Sequence, residues 1–282
     1  MWDIDSSTRL CSLIGHPIKH SVSPQMHNAA FRAVGLNYVY LAFDVKPEAL
    51  EHAVKGLRAV GAAGFNVTIP HKVEVMRFLD ELDKSAETTG AVNTVVIENS
   101  LKGYNTDVYG VEEALRDVRI GDYAMIIGAG GAARASGVAL TNLGFRKIIV
   151  ANRTLSKARA LAERLRRLGV EVEVVGLGEA GVHAEKCSLI VNATPIGMTP
   201  NVDETPLKSS EIPGDAVVLD LVYNPIRTRL LQEAERAGAQ AVSGLEVLVY
   251  QGARAFKLWT GVEAPVEVMR SEALKALKRW RG

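Results

Sequence analysis

The sequence predicts an α/β protein of two domains, and three observations carry the prediction. Residues 123–243 alternate apolar strand-like runs with amphipathic helical stretches, the pattern that builds a parallel sheet covered by helices on both faces. A glycine-rich turn, Gly128-Ala129-Gly130-Gly131-Ala132-Ala133, stands between the first of those strands and the first of those helices. The first hundred residues alternate in the same way without such a turn, and two helical stretches follow the last strand.

In order along the chain, the patterning predicts a strand over 10–14, a helix over 24–34, a strand over 38–43, a helix over 47–60 and a strand over 63–68. A helix over 71–79 and short strands near 92–98 and 101–104 follow. The second set begins with Tyr123-Ala124-Met125-Ile126-Ile127 as a strand, and the helix over 131–143 stops at Gly144. Then come a strand over 147–151, a helix over 155–168 stopping at Gly169, and strands over 171–175, 188–192 and 216–222. A helix near 227–237 and a strand over 239–243 close the set. Helices over 245–259 and, after Pro265, 265–280 end the chain. Residues 109–246 are thus expected to form one domain, and 1–108 with 247–282 the other, with a ligand cleft between them.

Composition narrows the function classes. Of 282 residues 48% are hydrophobic, and 33 basic residues nearly balance 32 acidic ones, for a net charge of +1. That balance gives no electrostatic footprint for nucleic acid. Arg164, Arg166 and Arg167 form a local basic patch that reads as a solvated helix face. No apolar run is long enough to span a bilayer, and the N-terminus lacks the basic-then-apolar pattern of a secretory signal. Two distant cysteines, Cys11 and Cys187, sit in or beside apolar runs, which suggests buried free thiols and a cytoplasmic protein. No cluster has metal-ligand spacing.

The glycine turn reads Gly-x-Gly-x-x-Ala, the form of a Rossmann-type dinucleotide site. Glycines at 128 and 130 allow a tight turn and close approach of a pyrophosphate, while Ala133 lets the helix pack on the strand. After the second strand an NAD site would carry Asp or Glu for the ribose 2′-hydroxyl. This chain carries Asn152-Arg153-Thr154, with Lys157 one turn on. An arginine grips a 2′-phosphate through its planar fork, so the expected cofactor is NADP(H). The alternative reading of Arg153 and Lys157 is a solvated helix start.

Four polar motifs mark element ends in the first domain. In Ser21-Val22-Ser23-Pro24, Ser23 reads as a helix N-cap, whereas capping does not explain Ser21; two hydroxyls at a helix start suit a carboxylate. In Asn66-Val67-Thr68-Ile69-Pro70-His71-Lys72, Lys72 would begin a helix, an electrostatically unfavourable place for a cation and therefore a functional candidate. Gly90-Ala91-Val92-Asn93-Thr94 and Gly103-Tyr104-Asn105-Thr106-Asp107 each put an amide or carboxylate beside a strand end, where turn formation is the simpler explanation. His16, His20, His27 and His71 are explained as well by capping and packing as by catalysis.

Taken together and in this order, these motifs, with Asn192-Ala193-Thr194-Pro195-Ile196-Gly197-Met198 and Tyr250-Gln251-Gly252, resemble the shikimate dehydrogenase family from about residue 10 to the end. The resemblance implies reduction of 3-dehydroshikimate to shikimate by NADPH, on the route to chorismate and the aromatic amino acids. It implies Lys72 and Asp107 as the catalytic pair, Ser21 and Ser23 on the substrate carboxylate, and Thr68, Asn93, Asp107 and Gln251 on the ring hydroxyls, with Tyr223 lining the pocket. It adds Thr194, Met198, Leu221 and Gly244 to the cofactor residues Gly128, Ala129, Gly130, Gly131, Ala132, Asn152, Arg153, Thr154 and Lys157. No metal is implied, and the partner is a small molecule bound by a monomer or homodimer. Three other readings stay open: a quinate-accepting relative that uses NAD, a non-catalytic NADP-binding regulator, and a two-domain methylene-tetrahydrofolate dehydrogenase. Retention of both Lys72 and Asp107 opposes the second, and the paired serines oppose the third.

Overall fold

A computed structural model describes residues 4–118 and 121–279. The chain forms two compact units, Met1–Tyr109 with Val249–Gly282, and Gly110–Leu248. In the first, the strands are β1 (Arg9–Gly15), β2 (Tyr38–Asp44), β3 (Gly64–Val67), β4 (Glu81–Leu82), β5 (Thr94–Ile97) and β6 (Leu101–Tyr104). The helices between them are α1 (Ser23–Ala33), α2 (Leu50–Ala59) and α3 (Lys84–Thr89). The sheet runs β2-β1-β3-β5-β6-β4. β1 is parallel to β2 and β3, whereas β5 is antiparallel to both β3 and β6. That hairpin ends β6 next to the start of β5, which brings the two short polar motifs together: Asn93 N–H donates to the Tyr104 carbonyl at 3.0 Å.

α4 (Thr106–Ala114) leads from the first unit into the second. There the strands are β7 (Tyr123–Ile127), β8 (Lys147–Asn152), β9 (Glu171–Gly176), β10 (Leu189–Asn192), β11 (Val217–Asp220) and β12 (Gln240–Ser243). The helices are α5 (Gly131–Asn142), α6 (Leu155–Arg166), α7 (Ala180–Ala184) and α8 (Arg229–Ala237). Every strand pair is parallel, in the order β12-β11-β10-β7-β8-β9. This is the doubly wound arrangement, with the switch point between β7 and β10. Strands covered on both faces should be apolar throughout, and Ala124, Met125, Ile126 and Ile127 are all fully buried.

α9 (Gly244–Thr260), from Val249 onward, and α10 (Val266–Arg279) complete the first unit. Phe256 of α9 stacks on Phe31 of α1, and α10 packs along α1. The Trp259 indole donates to the Val95 carbonyl at 3.0 Å, passing directly over Gly64. A Cβ at residue 64 would lie 2.3 Å from both atoms of that bond, so only glycine fits between helix and sheet. Cys11 and Cys187 are buried free thiols, and burial pushes Cys187 up to about 12. No helix among the described residues is long and apolar enough to cross a membrane.

Four local expectations need correction. Ser23 is not the cap of α1: Val22 occupies that position and Ser23 is already helical, with Pro24 behind it. The Ser21 hydroxyl accepts from the Ser23 N–H at 3.2 Å, a local contact across Val22, and α1 has no side-chain cap. The helix expected over 71–79 is a turn followed by a short 3-10 segment, Glu74–Phe78. Lys72 therefore faces no helix dipole, and the unfavourable placement that singled it out does not exist. β4, α3, α4 and α7 were not visible in the patterning, and residue 280 of the last predicted helix lies outside the described residues.

Candidate active site

Two side chains of opposite charge meet in the first unit. Lys72 Nζ donates to Asp107 Oδ2 at 2.5 Å, with side-chain exposures of 17% and 15%. Neither charge is fully solvated, so each depends on the other. The loop holding Lys72 is tied at several points. His71 is buried and its Nε2 lies 2.6 Å from the Val45 carbonyl, while the Lys72 carbonyl accepts from Val92 N–H at 2.7 Å. Asp107 lies in the first turn of α4, where the helix dipole favours a carboxylate.

Around the pair the structure gathers Asn93 and Gln251, which lie 158 residues apart in sequence. Asn93 Nδ2 has three acceptors within reach of its two N–H groups: Asp107 Oδ1 at 2.8 Å, Thr106 Oγ1 at 2.9 Å and Gln251 Oε1 at 3.2 Å. Lys72, Asn93, Asp107 and Gln251 thus form one hydrogen-bonded group that combines a cation, a carboxylate and two amides. Such a group can hold vicinal hydroxyls and deliver or take a proton at an oxygen. Ser21 and Ser23 stand at the start of α1, with the Ser23 hydroxyl beside the buried Tyr40 phenol, which desolvation holds well above its ordinary range. Thr68 is half-buried just past β3, with its methyl over Gly15.

Three of the histidines have partners outside the Lys72–Asp107 group. His16 Nδ1 meets Asp44 at 2.6 Å near the surface, and His71 anchors its loop. His27 is fully buried, stacked 4.4 Å from the Tyr40 ring, and burial depresses it to about 3, so it is a neutral core residue.

In the second unit the glycine turn joins β7 to α5 at the switch point. Gly128 has φ +119°, and a Cβ there would lie 2.9 Å from the Ala193 carbonyl, so the fold itself requires glycine. Gly130 is different. Its φ of −88° and ψ of −165° suit any residue, and an added Cβ would meet nothing within 4 Å. Protein packing gives no reason for glycine at 130, whereas close approach of a ligand backbone does. α5 carries no side-chain cap, so Gly131 and Ala132 offer the first-turn amides that an anion would take.

After β8, Asn152 Nδ2 donates to the Thr154 carbonyl at 2.8 Å, shaping the turn that exposes Arg153. Thr154 caps α6 without a side-chain bond, the first turn contains no acid, and Lys157 is exposed there. The chemistry of this donor set fits a phosphate monoester on the ribose. Thr194 Oγ1 donates to Asn192 Oδ1 at 2.6 Å, and Leu221 N–H to the Asn192 carbonyl at 3.0 Å. Met198 is half-exposed in the same loop, Tyr223 is half-buried beyond β11, and Gly244 is buried at the start of α9.

Asp220 was missed by the sequence reading. It pairs in register with Asn192, is fully buried, and accepts from Thr228 Oγ1 at 2.6 Å, Asn192 Nδ2 at 2.9 Å and Val222 N–H at 3.1 Å. Desolvation raises it to about 6. It ties together the loops after β10 and β11, and its only sequence signal was an acid ending the apolar run Val217-Val218-Leu219.

Comparison with known proteins bears on both units. The family description "shikimate dehydrogenase substrate binding domain" matches residues 13–95, "shikimate / quinate 5-dehydrogenase" matches 113–221, and "shikimate 5′-dehydrogenase C-terminal domain" matches 244–274. The chain is 53% identical over 284 aligned positions to the NADP(+) shikimate dehydrogenase of Methanopyrus kandleri, covering 98% of each. A crystal structure of a shikimate dehydrogenase in complex with NADP+ superposes with TM-score 0.91 at 47% identity, covering 97% of each chain. That of the Thermus thermophilus shikimate 5-dehydrogenase in complex with NADP(H) and shikimate superposes with TM-score 0.86 at 38% identity, covering 95% of this chain and 100% of that one. With identity at this level from end to end, and family matches in both units, the chain belongs to the shikimate/quinate 5-dehydrogenase family of oxidoreductases.

Proposed function

We propose that this chain interconverts shikimate and 3-dehydroshikimate with NADP(H). The observation that carries the proposal is the Lys72–Asp107 ion pair, largely withdrawn from water and bonded to Asn93, which in turn is bonded to Gln251. When bound, the nicotinamide accepts or supplies the hydride. The chain's own residues then have three tasks. The Lys72 ammonium donates a proton to the substrate oxygen during reduction, or stabilises negative charge developing on it. Asp107 orients Lys72 and accepts from a ring hydroxyl, while Asn93, Gln251 and Thr68 hold the others. Ser21 and Ser23 hold the carboxylate. Gly128, Ala129, Gly130, Gly131 and Ala132 receive the pyrophosphate, and Asn152, Arg153, Thr154 and Lys157 the 2′-phosphate. Thr194, Met198, Leu221 and Gly244 border the remainder of the cofactor, and Tyr223 the substrate. Two buried free thiols support action in the reducing cytoplasm, and the chain acts as a monomer or homodimer.

The test follows absorbance of the reduced nicotinamide with shikimate or quinate, each with NADP+ or NAD+. Turnover largely confined to shikimate with NADP+ is expected. Comparable turnover of quinate, or with NAD+, overturns the specificity; cofactor binding without turnover overturns the catalytic reading in favour of a regulator.

A further inference from the structure

Behind the Lys72–Asp107 pair lies a polar core whose bonding directions are fixed. Asn93 Oδ1 accepts from the Thr106 backbone N–H at 2.7 Å. A backbone N–H only donates, so this contact determines which end of the Asn93 amide is oxygen. The same oxygen lies 3.1 Å from the hydroxyls of Thr94 and Thr106. The nitrogen end is thereby turned to Asp107 and Gln251.

Thr94 is wholly buried, and its hydroxyl touches three groups: Asn66 Nδ2 at 2.9 Å, Thr106 Oγ1 at 3.0 Å and Asn93 Oδ1. Asn66 is fixed in turn, since its oxygen accepts from Tyr40 Oη at 2.7 Å and its nitrogen also donates to the Asn93 carbonyl at 3.1 Å. Reversing that amide would set two carbonyl oxygens against each other. With Asn66 donating into Thr94, the single hydroxyl proton of Thr94 is left to point toward Asn93 Oδ1 or Thr106 Oγ1.

We propose that Thr94 is a positioning residue. Its buried hydroxyl braces Asn93 Oδ1, whose identity the Thr106 N–H already fixes, against Asn66 and Thr106, and so holds the Asn93 amide at the angle at which its nitrogen meets Asp107 beside Lys72. Among the described residues Thr94 hydrogen-bonds neither Lys72 nor Asp107. The role rests on the dehydrogenase reading above. It carries a rule for the ligand: an oxygen lone pair that binds Asn93 takes over one of its two N–H groups from a present partner, and hydroxyl protons go to Asp107 or Gln251.

The experiment measures kcat and KM for shikimate, Kd for NADP+, and the melting temperature. It compares wild type, Thr94→Val, Thr94→Ser, Asp107→Asn, and Thr94→Val combined with Asp107→Asn. Absence of wild-type turnover overturns the dehydrogenase reading and the role of Thr94 with it. Given turnover, Thr94→Val is expected to lower kcat about tenfold or more while Kd for NADP+ stays within about twofold. Thr94→Ser, which restores a hydroxyl, should return kcat to within about threefold of wild type. In the Asp107→Asn background the loss from Thr94→Val should shrink to under about threefold, because the carboxylate it positions is gone. An equal fold loss in both backgrounds, or no rescue by serine, overturns the proposal. Should Thr94→Val lack a cooperative melt, Asn66→Ala breaks the brace one step earlier and is judged by the same cycle.

Discussion

Gly128 and Gly130 are two residues apart in one turn, yet the structure demands opposite outcomes from replacing them with alanine. At 128 a methyl group enters a left-handed backbone with φ +119° and stops 2.9 Å from the Ala193 carbonyl. The conformational penalty is about 1–2 kcal/mol and the crowding adds about 1–3. Gly128→Ala should therefore lose about 3 kcal/mol of stability and roughly 10 °C in melting temperature. At 130 the backbone is extended and the methyl group meets no protein atom within 4 Å. Gly130→Ala should leave stability unchanged or raise it by about 0.5 kcal/mol, because the unfolded chain loses freedom. The added methyl would stand in the path of the pyrophosphate, and an anion pushed off the α5 amides loses charge-assisted bonds worth about 1.5–3 kcal/mol each. Loss of one such bond weakens NADPH binding about tenfold or more. Thermal melts without ligand and fluorescence titration with NADPH read the two effects separately. A Gly130→Ala protein that melts like wild type and binds NADPH with unchanged affinity would refute the argument, since the open space at 130 would then have nothing to do with the cofactor.

Three further outcomes follow from the site. Lys72→Ala should lower kcat by about a hundredfold or more with a much smaller rise in KM, whereas a large KM effect at unchanged kcat would make Lys72 a binding residue alone. Arg153→Ala should weaken NADP+ by about tenfold to a hundredfold and leave NAD+ within about threefold, checked by paired titrations; equal loss for both cofactors would remove Arg153 from phosphate recognition. Asp220 gives a pH prediction. Its folded value of about 6 lies above the unfolded 3.8, so the folded state binds the proton more tightly. The cost of ionising it is absent below 3.8, grows as pH rises between the two values, and is complete above about 6, where it amounts to about 3 kcal/mol. Denaturant melts of wild type and Asp220→Asn from about pH 4 to about pH 7.5 should show wild type losing ground to the variant as pH rises, and a difference that is flat or of opposite sign would show that the three donors around the carboxylate outweigh its burial.

How much of this was legible depended on how local the determinant was. β7 occurs over the five residues expected, since an unbroken apolar run ending at Gly128 has no competing reading. α3 was hidden by its length of six residues, although Asp83, which accepts from Ser85 N–H, and Gly90 with φ +61° bracket it with ordinary cap residues. α4 was concealed by Asn105-Thr106-Asp107, three residues that form turns as readily as helix starts. The Ser21–Ser23 segment shows the same limit: both hydroxyls were visible, but neither caps α1, because the backbone puts Val22 at the cap position. Lys72 and Asp107 were named through motif resemblance, and their pairing could not be read from spacing. It depends on the β5–β6 hairpin, which sets Asp107 beside Asn93; the second amide of the group, Gln251, returns from α9. Asp220 was missed because a buried acid is recognised by its donors, and these come from β10, the start of α8 and the turn after β11.

The Trp259 indole seated over Gly64 has a consequence for how the chain is made. Synthesis runs from the N-terminus, so the doubly wound unit, contiguous from Gly110 to Leu248, is complete in sequence while residues 249–279 are still to come. The earlier unit must wait. Until α9 emerges, Gly64 and the Val95 carbonyl lack their cover, and Phe31 lacks Phe256. The N-terminal part of the protein, the first to leave the ribosome, is therefore the last to be finished, and its aromatic face stays uncovered in the interval.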